Sequence, residues 1–299
     1  MKRILAASLL LTACSINRMA VNKMGDALAS SGTTFASDND PELVGQAVPF
    51  SLKLMESLLA SNPRHRGLLL ATASGFTEYA YAFVEQPADF VEDSNLARAT
   101  ELRDEARLLY LRARDYGLRG LDVRMAGFST RLRADPKAAV RAARVEDVPY
   151  LYWTAAAWGA AISLSKDKPE MVAELPVVEA LIDRALALDE SYDDGAIHTF
   201  LETYELSRQG APGNPVDRAR AHFERAVQLT NGQLAGPFVS FAEGADVSIQ
   251  NRAEFDSLLH RALAIDPDAR PDWRLANLIM QRRARWLLGK ADDLFLDPR

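Results

Sequence analysis

The side chains able to do chemistry in this chain are few, and their spacing favours capture of a ligand over its conversion. The four histidines, His65, His198, His222 and His260, are mutually remote in sequence, and none lies at a metal-binding spacing. Asp189-Glu190-Ser191-Tyr192-Asp193-Asp194-Gly195 invites comparison with a calcium loop. It puts Asp194 sixth, where glycine is required, and Phe200 twelfth, where glutamate belongs, so it reads as a turn between helices. No Gly-x-Ser-x-Gly, P-loop or dinucleotide-binding glycine pattern occurs. The expectation is a protein that is not an enzyme, with no metal and no cofactor. What stands out is Val148 to Ala161, apolar all round a helix, with Tyr150, Trp153 and Trp158 among small residues. Those rings could wall an apolar cavity, with phenol and indole groups as polar handles. A central core helix reads the same way. Phe76, Tyr79 and Phe83, in the aromatic-plus-small stretch Gly75 to Phe83, could form an opposing wall, and Phe238 is a third candidate.

Cys14 is the remaining reactive group and the only cysteine. It follows Leu11-Thr12-Ala13, an apolar run from Ile4 to Leu11 and the basic pair Lys2-Arg3, the order of an export signal. The run is far shorter than the ~20 residues that a spanning helix needs. Leu-Thr-Ala-Cys resembles the lipobox of bacterial lipoproteins, which implies acylation of the Cys14 thiol and a mature chain that begins there. An exported protein meets an oxidising compartment where an odd thiol is a liability, and here the one thiol is the one the lipobox requires. Several acyl chains, at about 0.8 kcal/mol per buried CH₂, make a stable anchor. Ser15 follows, where Asp would signal retention at the inner membrane, so the expected site is the periplasmic leaflet of the outer membrane. Residues 1–13 are thus the signal peptide. Residues 14–40, polar and small around Ser30 to Thr34, form a tether and N-terminal segment in which Met19, Val21, Met24 and Leu28 could make a short docked helix.

The elements that must position these groups are helices. From Pro41 onward the apolar pattern has helical period, with no alternating strand runs, so the class is all-α. Three segments align without gaps: Leu181 to Asp189, His222 to Thr230 and Leu258 to Asp266. Each reads apolar at its first, second, fifth and eighth positions or nearly so, with Arg fourth and a small Ala fifth, and fainter copies fall at Leu54 to Asn62 and Leu109 to Gly117. The apolar positions share one stripe, the Arg faces water or a carboxylate, and the Ala lets two helices approach. Asn214-Pro215 marks the start of a further helix. Residues 41–299 are therefore expected to be a single domain of helical hairpins stacked as cryptic tetratricopeptide-like repeats, α-solenoid-like, with a concave face or internal groove.

With 48% hydrophobic and 25% charged residues the chain can build a large core, and its net charge of −6 makes nucleic acid an unsuitable partner. Tyr110 to Arg119, Pro149 to Gly159 and Arg184 to Asp189 together resemble the T-component (TatT-like) lipoproteins of tripartite ATP-independent periplasmic (TRAP) transporters. The resemblance implies a helical-repeat body that forms a homotrimer, offers apolar channels to a hydrophobic small molecule and docks the periplasmic substrate-binding component of the transporter. The alternative is a tetratricopeptide-like protein-interaction scaffold at the outer membrane with no small-molecule ligand.

Overall fold

A computed structural model describes residues 23, 25, 27 and 32–296, and every regular element among the described residues is helical. Cys14 and the signal segment 1–13 lie outside the described residues. The longer helices are α1 (Pro41–Ser61), α2 (Arg66–Ala80), α3 (Leu96–Arg124), α4 (Val148–Ser163), α5 (Leu175–Leu188), α6 (Tyr192–Tyr204), α7 (Pro215–Leu229), α8 (Ala235–Phe241), α9 (Arg252–Leu263) and α10 (Arg274–Gly289). Two π turns interrupt the pattern: Tyr81–Glu85 continues α2 into the short helix Gln86–Val91, and Ala242–Asp246 continues α8. A wide turn of this kind changes which face of a helix points where, and it recurs at functional sites.

The starts of the helices follow from local chemistry. Asp40 accepts a hydrogen bond from the Leu43 amide at 3.0 Å, Asn95 from Arg98 at 3.0 Å and Asn214 from Val216 at 2.7 Å. Proline occupies the first turn of α1 and of α7, where a missing N–H costs nothing.

The repeated segments end α5, α7 and α9, each the second helix of an antiparallel pair: α4 with α5, α6 with α7, α8 with α9. Ala185, Ala226 and Ala262, the fifth positions, are all fully buried, so the small residue sits where the helices come closest. The Arg before each takes a different partner: Arg184 donates to the Ala143 carbonyl at 2.6 Å, Arg225 pairs with Glu190, and Arg261 lies 4.5 Å over the ring of Phe238.

Two cores hold the stack. In the first, α2, α3 and α4 pack through Leu68, Leu69, Leu121, Leu151 and Trp158. The helices touch because α3 presents glycine to α4: a Cβ on Gly117 would lie 2.2 Å from Thr154 Oγ1, and one on Gly120 2.2 Å from the ring of Tyr150. The second core gathers Phe223, Phe238, Phe241 and Phe255 from α7, α8 and α9. Ahead of α1, Gly25 is helical and buried, and a Cβ there would meet Leu68 at 2.9 Å.

The chain ends meet. Helix α10 returns to the first elements: Arg274 donates to the Ser37 carbonyl at 2.6 Å and Arg282 to the Ala82 carbonyl at 3.1 Å, while the Tyr81 hydroxyl reaches Met280 Sδ at 3.7 Å. Arg283, only 6% exposed, pairs with Asp89 at 2.8 Å and with Glu243, and Lys290 pairs with Asp93. A pile of repeats contacts only its neighbours by default; these polar ties join the first and last described helices as well.

Candidate ligand chamber

Helix α4 divides its aromatic residues between two faces. Tyr150 and Trp158 point into the first core. The Tyr150 hydroxyl donates to the Arg66 carbonyl at 2.7 Å, and Trp158 Nε1 donates to Glu174 at 2.6 Å, with Arg114 4.9 Å from the indole. Their polar atoms are therefore already engaged. Tyr152 and Trp153 lie on another face, half-buried, with ring centroids 5.0 Å apart and edge to face. Tyr152 is also 5.5 Å from the ring of Tyr192 at the start of α6.

The backbone beyond Tyr192 is unusual. Asp193, Asp194 and Gly195 are left-handed in succession, with φ of 49°, 52° and 94°. A side-chain-bearing residue in that region costs about 1–2 kcal/mol, so two together persist only where the surroundings impose them. Trp273 supplies part of that hold: its Nε1 donates to Asp194 Oδ2 at 3.2 Å, and Arg270 stacks 3.5 Å over its ring. The turn brings Asp193 within electrostatic reach of Tyr152 and of Glu78 on α2.

Glu78 is open to a water-sized probe, yet protein encloses it so fully that desolvation, with a smaller push from Asp193, lifts its carboxyl to about 7. Accessible to solvent and yet crowded by protein, this carboxyl marks the candidate site on α2. Asp193 shows the same pairing: it is exposed, and desolvation followed by the charge of Asp194 raises it. Burial raises the phenols of Tyr152 and Tyr192 as well. Among the described residues neither Glu78 nor Asp193 has a hydrogen bond or an ion pair through its side chain. The wall continues along the Glu78 face of α2 to Tyr81, near Met280, and to Glu85, which accepts from Tyr110 and is lifted to about 7 by burial.

Of the aromatic candidates read from the sequence, Trp153 stands on this wall. Phe76 lies on the far side of α2, stacked on Tyr116 at 6.3 Å under Arg112; Tyr79 and Phe83 pair at 5.8 Å beside Gly45 of α1. Phe238 is in the second core against Phe223. Glu78, Tyr152, Tyr192 and Asp193 were not singled out. The available signal was a lone carboxylate in the aromatic stretch 75–83 and the acidic turn 189–195. His198 and His222, 24 residues apart, meet with Nδ1 atoms 2.8 Å apart, and burial lowers both. No group of three or more His, Cys, Asp or Glu that could hold a metal occurs among the described residues.

Residues 37–295, spanning α1 to α10, match the family of TRAP transporter T-components. The chain belongs to that family. It is also similar to an uncharacterized protein of Treponema pallidum (strain Nichols), 31% identical across 98% of this chain and 96% of that one. This T-component is therefore an accessory of a TRAP transport system, a family of transport components and not of enzymes. Among its described residues no helix is long and apolar enough to cross a membrane.

Proposed function

We propose that this T-component binds a hydrophobic small molecule in the hollow between α2, α4 and α6 and passes it to the periplasmic substrate-binding component of its transporter. The observation that carries the reading is Glu78, reachable by solvent and yet desolvated, within electrostatic reach of Tyr152 and Tyr192, whose rings form a contact chain with Trp153. Rings at that separation offer an alkyl chain an apolar wall, and burying each CH₂ contributes about 0.8 kcal/mol. Acylated Cys14 holds the protein at the periplasmic leaflet of the outer membrane, and three copies associate. For the partner, α3 offers a shallow surface groove of about 500 Å³ lined by Leu108, Leu109, Arg112 and the acids Glu101 and Glu105; Leu108 is 59% exposed.

Calorimetric titration with a decyl amphiphile tests the ligand reading. Saturable binding that Trp153→Ala abolishes while helicity is retained supports it; no heat from any alkyl probe refutes it. Cys14→Ser releases the protein into the soluble fraction, and a variant that still pellets with membranes would refute the anchor. Leu108→Glu disrupts capture of the substrate-binding component and leaves alkyl binding intact.

A further inference from the structure

We propose that the chamber is selective for a cationic amphiphile, a ligand whose ammonium-type head sits among Glu78, Asp193 and the rings of Tyr152, Trp153 and Tyr192. This deepens the ligand reading above and rests on it.

Most enclosed acids among the described residues have a donor of this chain. Glu254, next to Asp246, is gripped by Arg220 through both oxygens at 2.7 and 2.8 Å. Glu243 and Asp89 share Arg283, and Glu85 takes the hydroxyl proton of Tyr110 as a hydrogen bond. Glu205 is held between Arg208 and Arg218. A donor of this chain answers each of these carboxylates, whereas Glu202 and Asp246 have no donor and are sealed from solvent. Glu78 and Asp193 combine the lack of a donor with access to solvent: among the described residues no side chain donates to either, they are not hydrogen-bonded to each other, and no cation acts on either. Both also have open space in front of them.

A desolvated carboxylate without a counter-charge is costly, and two facing each other are costlier. A positive guest would relieve both. The rings fit the same guest, because the face of an indole or phenol is electronegative and attracts an alkylated ammonium that has shed its water. Three such rings lie within 5.0 to 5.5 Å of one another in sequence of contact, Trp153 to Tyr152 to Tyr192, which is the spacing at which a methylated head can touch more than one. An acid ligand would meet two unpaired carboxylates, while Arg66 pairs with Asp147, Arg114 with Asp115 and Arg283 with Asp89 and Glu243, and Arg270, without a carboxylate partner among the described residues, is stacked 3.5 Å over the Trp273 ring. The alkyl tail then has the Tyr81 and Met280 side of the hollow to run along.

Titration at pH 8 with three probes of one chain length, decyltrimethylammonium, decanol and decanoate, each below its micelle concentration, tests the inference. The expected result is that the ammonium binds at least tenfold more tightly than decanol, with decanoate weakest. Glu78→Gln and Asp193→Asn each weaken the ammonium about fivefold or more relative to decanol. Because the probe ranking is read on the wild-type protein, it stands even if a variant folds poorly. Three probes bound alike, or decanoate bound best, overturns the charge preference and leaves the ligand reading intact. No binding of any probe refutes the ligand reading, and this inference with it.

Discussion

Glu78 makes the chamber visible to a pH experiment. Its carboxyl ordinarily ionises near 4.5 and in the fold is lifted to about 7, first by desolvation and then by Asp193. Between those values the native chain holds a proton that the unfolded chain has lost, so this residue's contribution to stability falls as pH rises from about 4.5 to 7. Glu78→Gln should match the wild type at pH 4.5 and exceed it at pH 8 in denaturant midpoint; an unchanged gap across that range would mean the carboxyl is not enclosed. Gly120 is a second test at this scale. Alanine gains about 0.5–1 kcal/mol in helix propensity, but its Cβ would meet the Tyr150 ring at 2.2 Å. The clash outweighs the gain, and Gly120→Ala should lose about 1–3 kcal/mol in equilibrium unfolding. Little of this was legible from the residues alone. Val148 to Ala161 is apolar on every side, so its pattern cannot say that Tyr150 and Trp158 face a core while Trp153 stays half-buried on another face. That choice is made by Gly117 and Gly120 on α3 and by Tyr192 on α6, partners that local periodicity does not contain.

At the scale of elements the sequence is more informative, because helix period and capping are local. The three aligned segments end α5, α7 and α9, and Asn214-Pro215 opens α7, as its side-chain bond to Val216 shows. The repeated Ala is the position of closest packing, which gives a paired prediction within one helix. Ala226→Leu, at a fully buried site, should cost about 1–3 kcal/mol, whereas Ala221→Leu, on the exposed face of the same helix, should stay within about 0.5 kcal/mol. Equal losses in thermal unfolding would contradict the assignment of the repeat's inner stripe. The two π turns and the left-handed Asp193-Asp194-Gly195 were not legible. Two of the three carry distant contacts that local periodicity does not contain, Met280 at Tyr81 and Trp273 at Asp194.

The whole molecule differs from an open pile of repeats in that its last helix meets its first. Arg283 is the centre of that closure, and removing its guanidinium leaves Asp89 with Arg103 and takes away the partner of the half-buried Glu243. Arg283→Ala should therefore cost about 1–3 kcal/mol in chemical denaturation. A loss below 1 kcal/mol would mean the ends are not tied there. Membership of the T-component family was readable from pattern, since it rests on helices in order over residues 37–295. Closure was not, because it depends on pairs nearly 200 residues apart, such as Tyr81 with Met280.

What the closed stack is for comes down to whether a guest enters it beside Trp153. The most direct measurement is quenching of tryptophan fluorescence by an alkyltrimethylammonium carrying bromine near its head, compared between the wild type and Trp153→Phe, with the three other tryptophans of the chain unchanged. The account predicts quenching that saturates in the wild type and is largely lost in the variant. Quenching that rises linearly without saturation, or that is the same in both proteins, would contradict it.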